Sequence, residues 1–180
     1  IADEVLKYPG ASITLVDIDE RVTALSRTHL SFMNNSSLDS QRVTIKNVDA
    51  LSYVQNCDTK YNAIFLDITD PHPDSPSASL LGSSAIDNYK QCLTPGGVIV
   101  SQTDNPFVTP KHVWQLKKKF ESNFKNVGTF AISAMTFSGA FSFVWASDSH
   151  GELDFDENVV STNWLSDERF KFCKKMLELV

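Results

Sequence analysis

The alternation of apolar and polar positions predicts a chain that passes repeatedly between helix and strand. Ile1-Ala2-Asp3-Glu4-Val5-Leu6-Lys7-Tyr8 reads as the body of a helix, stopped by Pro9-Gly10. Ser12-Ile13-Thr14-Leu15-Val16-Asp17-Ile18-Asp19 is short, β-branched and mostly apolar, the pattern of a strand buried on both faces. From residue 20 to about residue 34, Val22, Leu25, His29, Leu30 and Met33 recur at helical spacing, and Asn34-Asn35-Ser36-Ser37 closes that helix. A second strand is expected over 42–48 and a single helical turn over 51–54. Tyr61-Asn62-Ala63-Ile64-Phe65-Leu66-Asp67 predicts a third strand. The segment 68–79, with Pro71, Pro73 and Pro76, reads as an irregular loop.

A helix over 83–92, a turn at Thr94-Pro95-Gly96-Gly97 and a fourth strand at Val98-Ile99-Val100-Ser101 come next. Residues 111–124 form an amphipathic helix with Val113, Trp114, Leu116 and Phe120 as its apolar positions. Two late strands, 129–133 and 141–146, follow one another without an intervening helix, so they pair antiparallel; a helix over 167–179 ends the chain. Alternating strands and helices imply a doubly wound α/β sheet, in which ligands sit beyond the carboxyl ends of the strands.

Composition narrows the classes of function. Hydrophobic residues are 42% and charged residues 21% of 180 residues, values of an ordinary globular domain. A net charge of −6 argues against general nucleic-acid binding and suits a cationic small molecule better. No apolar run approaches the ~20 residues needed to cross a bilayer. Cys57, Cys92 and Cys173 are odd in number and far apart, so each reads as a small hydrophobe; the four histidines show no metal-ligand spacing. No metal is expected, and a reduced cytoplasmic compartment is the default. Ile1 opens inside a helix without an N-cap, so the chain is expected to be part of a longer protein.

The strand ends carry the candidate chemistry. Asp17 can accept from both hydroxyls of a ribose, whereas Asp19, just before Glu20-Arg21-Val22, reads as a helix N-cap. Asp49-Ala50 ends the second strand, where a carboxylate and a backbone N–H can meet an adenine; a helix cap is equally compatible with the spacing. Asp67-Ile68-Thr69-Asp70-Pro71 sets two carboxylates three residues apart at the end of an apolar strand, a site for a cationic amine. Gln102-Thr103-Asp104-Asn105-Pro106 adds a second polar cluster at the end of the fourth strand.

Asp67-x-x-Asp70-Pro71, Pro95-Gly96-Gly97-Val98, Gln102-Thr103-Asp104-Asn105-Pro106 and Ser138-Gly139 followed by Phe143-Val144-Trp145-Ala146-Ser147 resemble, in order and spacing, the spermidine synthases, or polyamine aminopropyltransferases. The resemblance runs over nearly all of the chain. It implies a Rossmann-like catalytic domain of the class I methyltransferase type across 1–180, with the late antiparallel strand pair. It also implies transfer of an aminopropyl group from decarboxylated S-adenosylmethionine, a co-substrate rather than a resident cofactor, to putrescine or a related amine, giving spermidine and methylthioadenosine. Asp17 would then hold the ribose, Asp49 and Ala50 the adenine, and Asp67 would be the general base. Asp70, Gln102, Asp104 and Thr136 would bind the acceptor, with Thr136 falling where the family has a tyrosine. A homodimer is implied as well. The family's first strand, glycine-rich loop and small N-terminal β-domain have no counterpart here and are expected upstream of Ile1. A class I methyltransferase and a non-catalytic relative are the alternatives.

Overall fold

The computed structural model describes residues 1–69, 76–137, 139–154, 159–160, 162 and 165–179. It divides into two compact units, the first built on Ile1–Asn56 and the second on most of the chain that follows.

In the first unit, α1 (Ala2–Leu6) leads to β1 (Ile13–Val16), α2 (Glu20–His29) and the short α3 (Ser31–Asn34), then to β2 (Val43–Lys46) and α4 (Ala50–Gln55). β1 and β2 pair in parallel from Ile13↔Val43 to Val16↔Lys46. Arg42, just before β2, ties down the segment between α1 and β1, its guanidinium donating to the carbonyls of Leu6 (2.7 Å), Tyr8 (3.1 Å) and Ala11 (3.3 Å). Two expectations fail here. β1 is half-buried at every position rather than buried on both faces, because β2 is its one strand partner among the described residues. The predicted helix over 20–34 breaks at Leu30, and Asn35 (φ 51°) and Ser36 (φ 54°) then turn left-handed. Val22, Leu25, Leu30 and Met33 are exposed; the residue of α2 that is buried is Thr23, which bonds Asn47 beyond β2 (3.1 Å). The face of α2 is therefore set by that polar contact, about 100° around the helix from Val22.

The second unit contains β3 (Tyr61–Leu66), α5 (Ser83–Cys92), β4 (Leu93–Gln102), α6 (Pro110–Glu121), β5 (Asn126–Ala134), β6 (Gly139–Ser147) and α7 (Asp167–Lys175). Its sheet has the order β3-β4-β6-β5, with β3 parallel to β4 and both β4–β6 and β5–β6 antiparallel. The late antiparallel pair is thus present, each strand longer than the sequence predicts. Ile86, Tyr89, Ile99, Val113, Phe120 and Val144 are fully enclosed and form the core under this sheet. Val113, Leu116 and Phe120 point one stripe of α6 inward, while Trp114 stays partly exposed, contrary to its predicted apolar role.

Two further details differ from expectation. Thr94-Pro95-Gly96-Gly97 is a bulge inside β4 rather than a turn before it: Tyr61 pairs with Leu93 but Ala63 already pairs with Val98, so the ladder skips these residues. The C-terminal part of the proline-containing segment, Pro76–Leu81, is a 3-10 helix, which tolerates proline at its first position. β5 and β6 approach closely at Gly128, where a Cβ would lie 2.4 Å from Trp145 Nε1; a glycine is required there. No described helix is long and apolar enough to cross a membrane.

Candidate functional site

In the first unit the strand ends are organised by backbone hydrogen bonds. The N–H of Asp17 continues the β1–β2 ladder by donating to Lys46 O (3.1 Å), and Asn47 Nδ2 donates to Asp17 O (3.2 Å). Asp17 is half-buried, and its Oδ1 accepts from the Asp19 N–H at 2.8 Å. That bond turns the chain away from β1 and orients the carboxylate at the strand end. Asp19 is the cap of α2, as its position predicts: its carboxylate accepts from Arg21 N at 2.9 Å and from the Arg21 guanidinium. Arg21 holds the Asp19 carboxyl below the usual carboxylate range.

Of the two readings of Asp49, the geometry shows the helix cap. It is the N-cap of α4, accepting from Leu51 N (3.4 Å), Ser52 N (3.0 Å) and Ser52 Oγ (2.9 Å). These bonds, that from the Ser52 N–H foremost, hold its carboxyl below the ordinary range. Asp49 is exposed and Ala50 half-buried. The cap satisfies part of the carboxylate's accepting capacity and leaves it facing solvent.

In the second unit the parallel register Leu66↔Ser101 puts Asp67 and Gln102 at the ends of neighbouring strands. Asp67 is exposed; Gln102 is half-buried, and its Nε2 donates to the Ile68 carbonyl one residue beyond Asp67. The amide thereby ties the end of β4 to the chain leaving β3. Asp70 lies outside the described residues, as do Pro71 and Ser138.

Past Gln102 the backbone is locked to β6. Thr103 N and Thr103 Oγ1 both donate to Ser142 O, at 3.0 and 2.9 Å, and the N–H and hydroxyl of Ser142 donate to Asp104 O at 3.1 and 2.6 Å. Asp104 Oδ1 accepts from Asn105 N (2.6 Å), and its Oδ2 stands 3.7 Å from His112 Nδ1 on α6. Asn105 is buried and turns the chain by accepting at Oδ1 from Phe107 N (3.0 Å) and Val108 N (3.3 Å). Ser142 and His112 are supporting residues that sequence reasoning did not single out, and Asn105 lay within its motif without a role. The Asn105-Pro106 dipeptide was the available signal for the turn; Ser142 and His112 left none, since only the β4–β6 register and the packing of α6 bring them here.

Thr136 sits exposed in the 3-10 turn Met135–Phe137 between β5 and β6. The pairings Gln102↔Phe143 and Ala134↔Gly139 set that turn at the same end of the sheet as Asp67 and Gln102, but on the far strand pair. The second unit therefore gathers Asp67, Gln102, Asp104 and the Thr136 turn along one rim, with Asp67 and Gln102 as immediate neighbours. Such a rim offers carboxylates to a protonated amine and, at Asp67, an exposed oxygen able to take a proton.

Comparisons with known proteins agree with this architecture. A family model described as the spermine/spermidine synthase domain matches residues 1–157. Polyamine aminopropyltransferase 2 of Hyperthermus butylicus is 32% identical over 147 residues, covering 81% of this chain and 48% of that protein. Polyamine aminopropyltransferase of Sulfolobus acidocaldarius is 31% identical over 159 residues, covering 88% of this chain and 53% of that protein. The chain spans about half the length of these curated relatives. Among solved structures, spermidine synthase from Thermotoga maritima superposes with a TM-score of 0.82 at 20% identity, over 96% of this chain and 62% of that one. Human methyltransferase-like protein 13, in complex with SAH, does so at 0.61 and 16% identity, over 95% and 71%. These structural likenesses show the fold, an α/β Rossmann-like domain shared by aminopropyl- and methyltransferases. With most of its length matched by that family model, and with its strand-end motifs in the matched region, the chain belongs to the spermine/spermidine synthase domain family.

Proposed function

We propose that this chain is the catalytic portion of a polyamine aminopropyltransferase, moving the aminopropyl group of decarboxylated S-adenosylmethionine to putrescine or a related amine. The observation that carries the reading is Asp67, an exposed carboxylate at the end of β3 beside Gln102, within the region that matches the family. An alkylammonium has no lone pair, so attack requires loss of a proton first. Asp67 accepts that proton. The amine nitrogen then forms a bond to the carbon next to the sulfonium, the carbon–sulfur bond breaks with its electrons going to sulfur, and methylthioadenosine leaves. Sulfonium is already a good leaving group, so holding the nucleophile in line supplies much of the rate.

The remaining roles are part of the same proposal. Asp17 accepts from the ribose hydroxyls, and Asp49 with Ala50 meets the adenine. Asp70, Gln102, Asp104 and Thr136 serve the acceptor's ammonium groups; a threonine in place of the family's tyrosine gives a roomier pocket that admits longer amines. Decarboxylated S-adenosylmethionine is consumed as a co-substrate, with no resident cofactor. A cytoplasmic homodimer completes the reading, carried over from the family resemblance. Supplying the full-length protein with decarboxylated S-adenosylmethionine and putrescine, and measuring methylthioadenosine and spermidine, tests it. Methyl transfer from S-adenosylmethionine instead would point to the methyltransferase alternative, which the TM-score of 0.61 to methyltransferase-like protein 13 keeps in view.

A further inference from the structure

Asp104 and His112 face each other across the loop that joins β4 to α6, with Asp104 Oδ2 3.7 Å from His112 Nδ1. Neither end of this pair is loose. The Asp104 carbonyl accepts from the N–H and the hydroxyl of Ser142 on β6, and Asp104 Oδ1 accepts from the Asn105 N–H at 2.6 Å, which leaves Oδ2 toward α6. On the other side, the His112 N–H donates to Thr109 O at 3.0 Å, and the next residue, Val113, is enclosed in the core, which pins the first turn of α6. The imidazole itself is exposed, and Asp104 is half-buried. The strands against which α6 packs, β5 and β6, carry no titratable residue. On α6, Lys111 adjoins His112, and Lys117, Lys118, Lys119 and Glu121 stand more than a turn further along. Asp67 is the other described carboxylate of the rim.

We propose that His112 is a positioning residue that sets, through its charge, how strongly Asp104 holds an ammonium group of the acceptor amine. The inference rests on the aminopropyl-transfer reading of this rim, and it adds a residue that acts through Asp104 rather than on the reacting atoms. Histidine is the side chain that changes charge between about pH 5 and 8. As an imidazolium, His112 is a counter-ion to Asp104 and presents a positive charge to an incoming alkylammonium, which stays protonated throughout this range. As a neutral imidazole, it releases the carboxylate, and the amine takes its place. Acceptor and proton therefore oppose each other, and by linkage each weakens the binding of the other by the same factor. An ion pair this exposed sets the effect at about two- to fivefold.

The test is calorimetric titration of the full-length protein with putrescine at about pH 6 and about pH 8, with methylthioadenosine bound and no aminopropyl donor present. Wild type should bind putrescine about two- to fivefold more tightly at the higher pH. At the lower pH its binding heat should vary with the ionisation enthalpy of the buffer, because a proton is released. His112→Gln should bind with the tighter affinity at both pH values, and His112→Lys, whose charge is fixed, with the weaker affinity at both. The position is exposed, so both variants should keep the wild-type thermal midpoint. Putrescine binding with the same pH dependence in wild type and His112→Gln would overturn the proposal and leave the aminopropyl reading standing. Failure of wild type to bind putrescine or spermidine at either pH would overturn that reading, and this proposal with it.

Discussion

Asp67 and Asp49 are both carboxylates one residue past a strand or one before a helix, yet their surroundings differ. Asp67 is exposed beside a strand-tying glutamine, whereas Asp49 already accepts three hydrogen bonds from its own helix. In the proposed role of base, Asp67 should be indispensable: Asp67→Asn is expected to lower kcat by roughly 10²–10⁴-fold while methylthioadenosine binding, measured by calorimetry, stays within error. A variant with near-normal turnover would remove Asp67 from the mechanism. At Asp49, the cap and the ligand role separate by substitution. Asp49→Ala should cost about 1 kcal/mol of stability in chemical denaturation, because α4 loses its cap, whereas Asp49→Asn preserves the cap. If the carboxylate also serves adenine, the Asn variant keeps its unfolding midpoint but loses methylthioadenosine affinity. Unchanged affinity confines Asp49 to the helix. The cap of Asp19 was legible from the residues after it. The Thr23–Asn47 contact was not, because it depends on strand register that no local pattern encodes.

Among the elements, strands were more legible than the faces of helices. β3 and β6 are apolar β-branched and aromatic runs, and their existence follows from composition alone. α2 misled because its apolar residues are exposed while a threonine is buried, and Thr94-Pro95-Gly96-Gly97 misled because turn residues also build bulges. Two elements give sharp tests. Gly128→Ala drives a Cβ against the Trp145 indole at the β5–β6 pairing and should cost about 1–3 kcal/mol; a thermal midpoint equal to wild type would mean that the pair relaxes freely. Lys90 on α5 and the Lys125 N–H before β5 both meet Asp148, at 2.8 and 3.0 Å, and hold its carboxyl below the ordinary range, Lys90 foremost. A lowered folded-state pKa contributes stability above the unfolded value and loses it as pH falls through the folded one. Asp148→Asn should therefore be less stable than wild type at neutral pH, and the gap should close below about pH 4. A gap that stays constant to pH 2 would show that the ion pair contributes nothing.

For the molecule as a whole, the α/β alternation and the late antiparallel pair were readable from period and order, and the family from motifs concentrated at strand ends. What the pattern did not foretell was the support: Ser142 and Asn105 hold the backbone beyond β4, so Asp104 is fixed by two strands rather than by its own loop. The activity proposed for the whole protein is aminopropyl transfer. Its most direct test is the initial rate of methylthioadenosine release by the full-length protein from decarboxylated S-adenosylmethionine, with and without putrescine. Release that depends on putrescine and yields equimolar spermidine is the predicted result. No release, or release that ignores the amine, would contradict it.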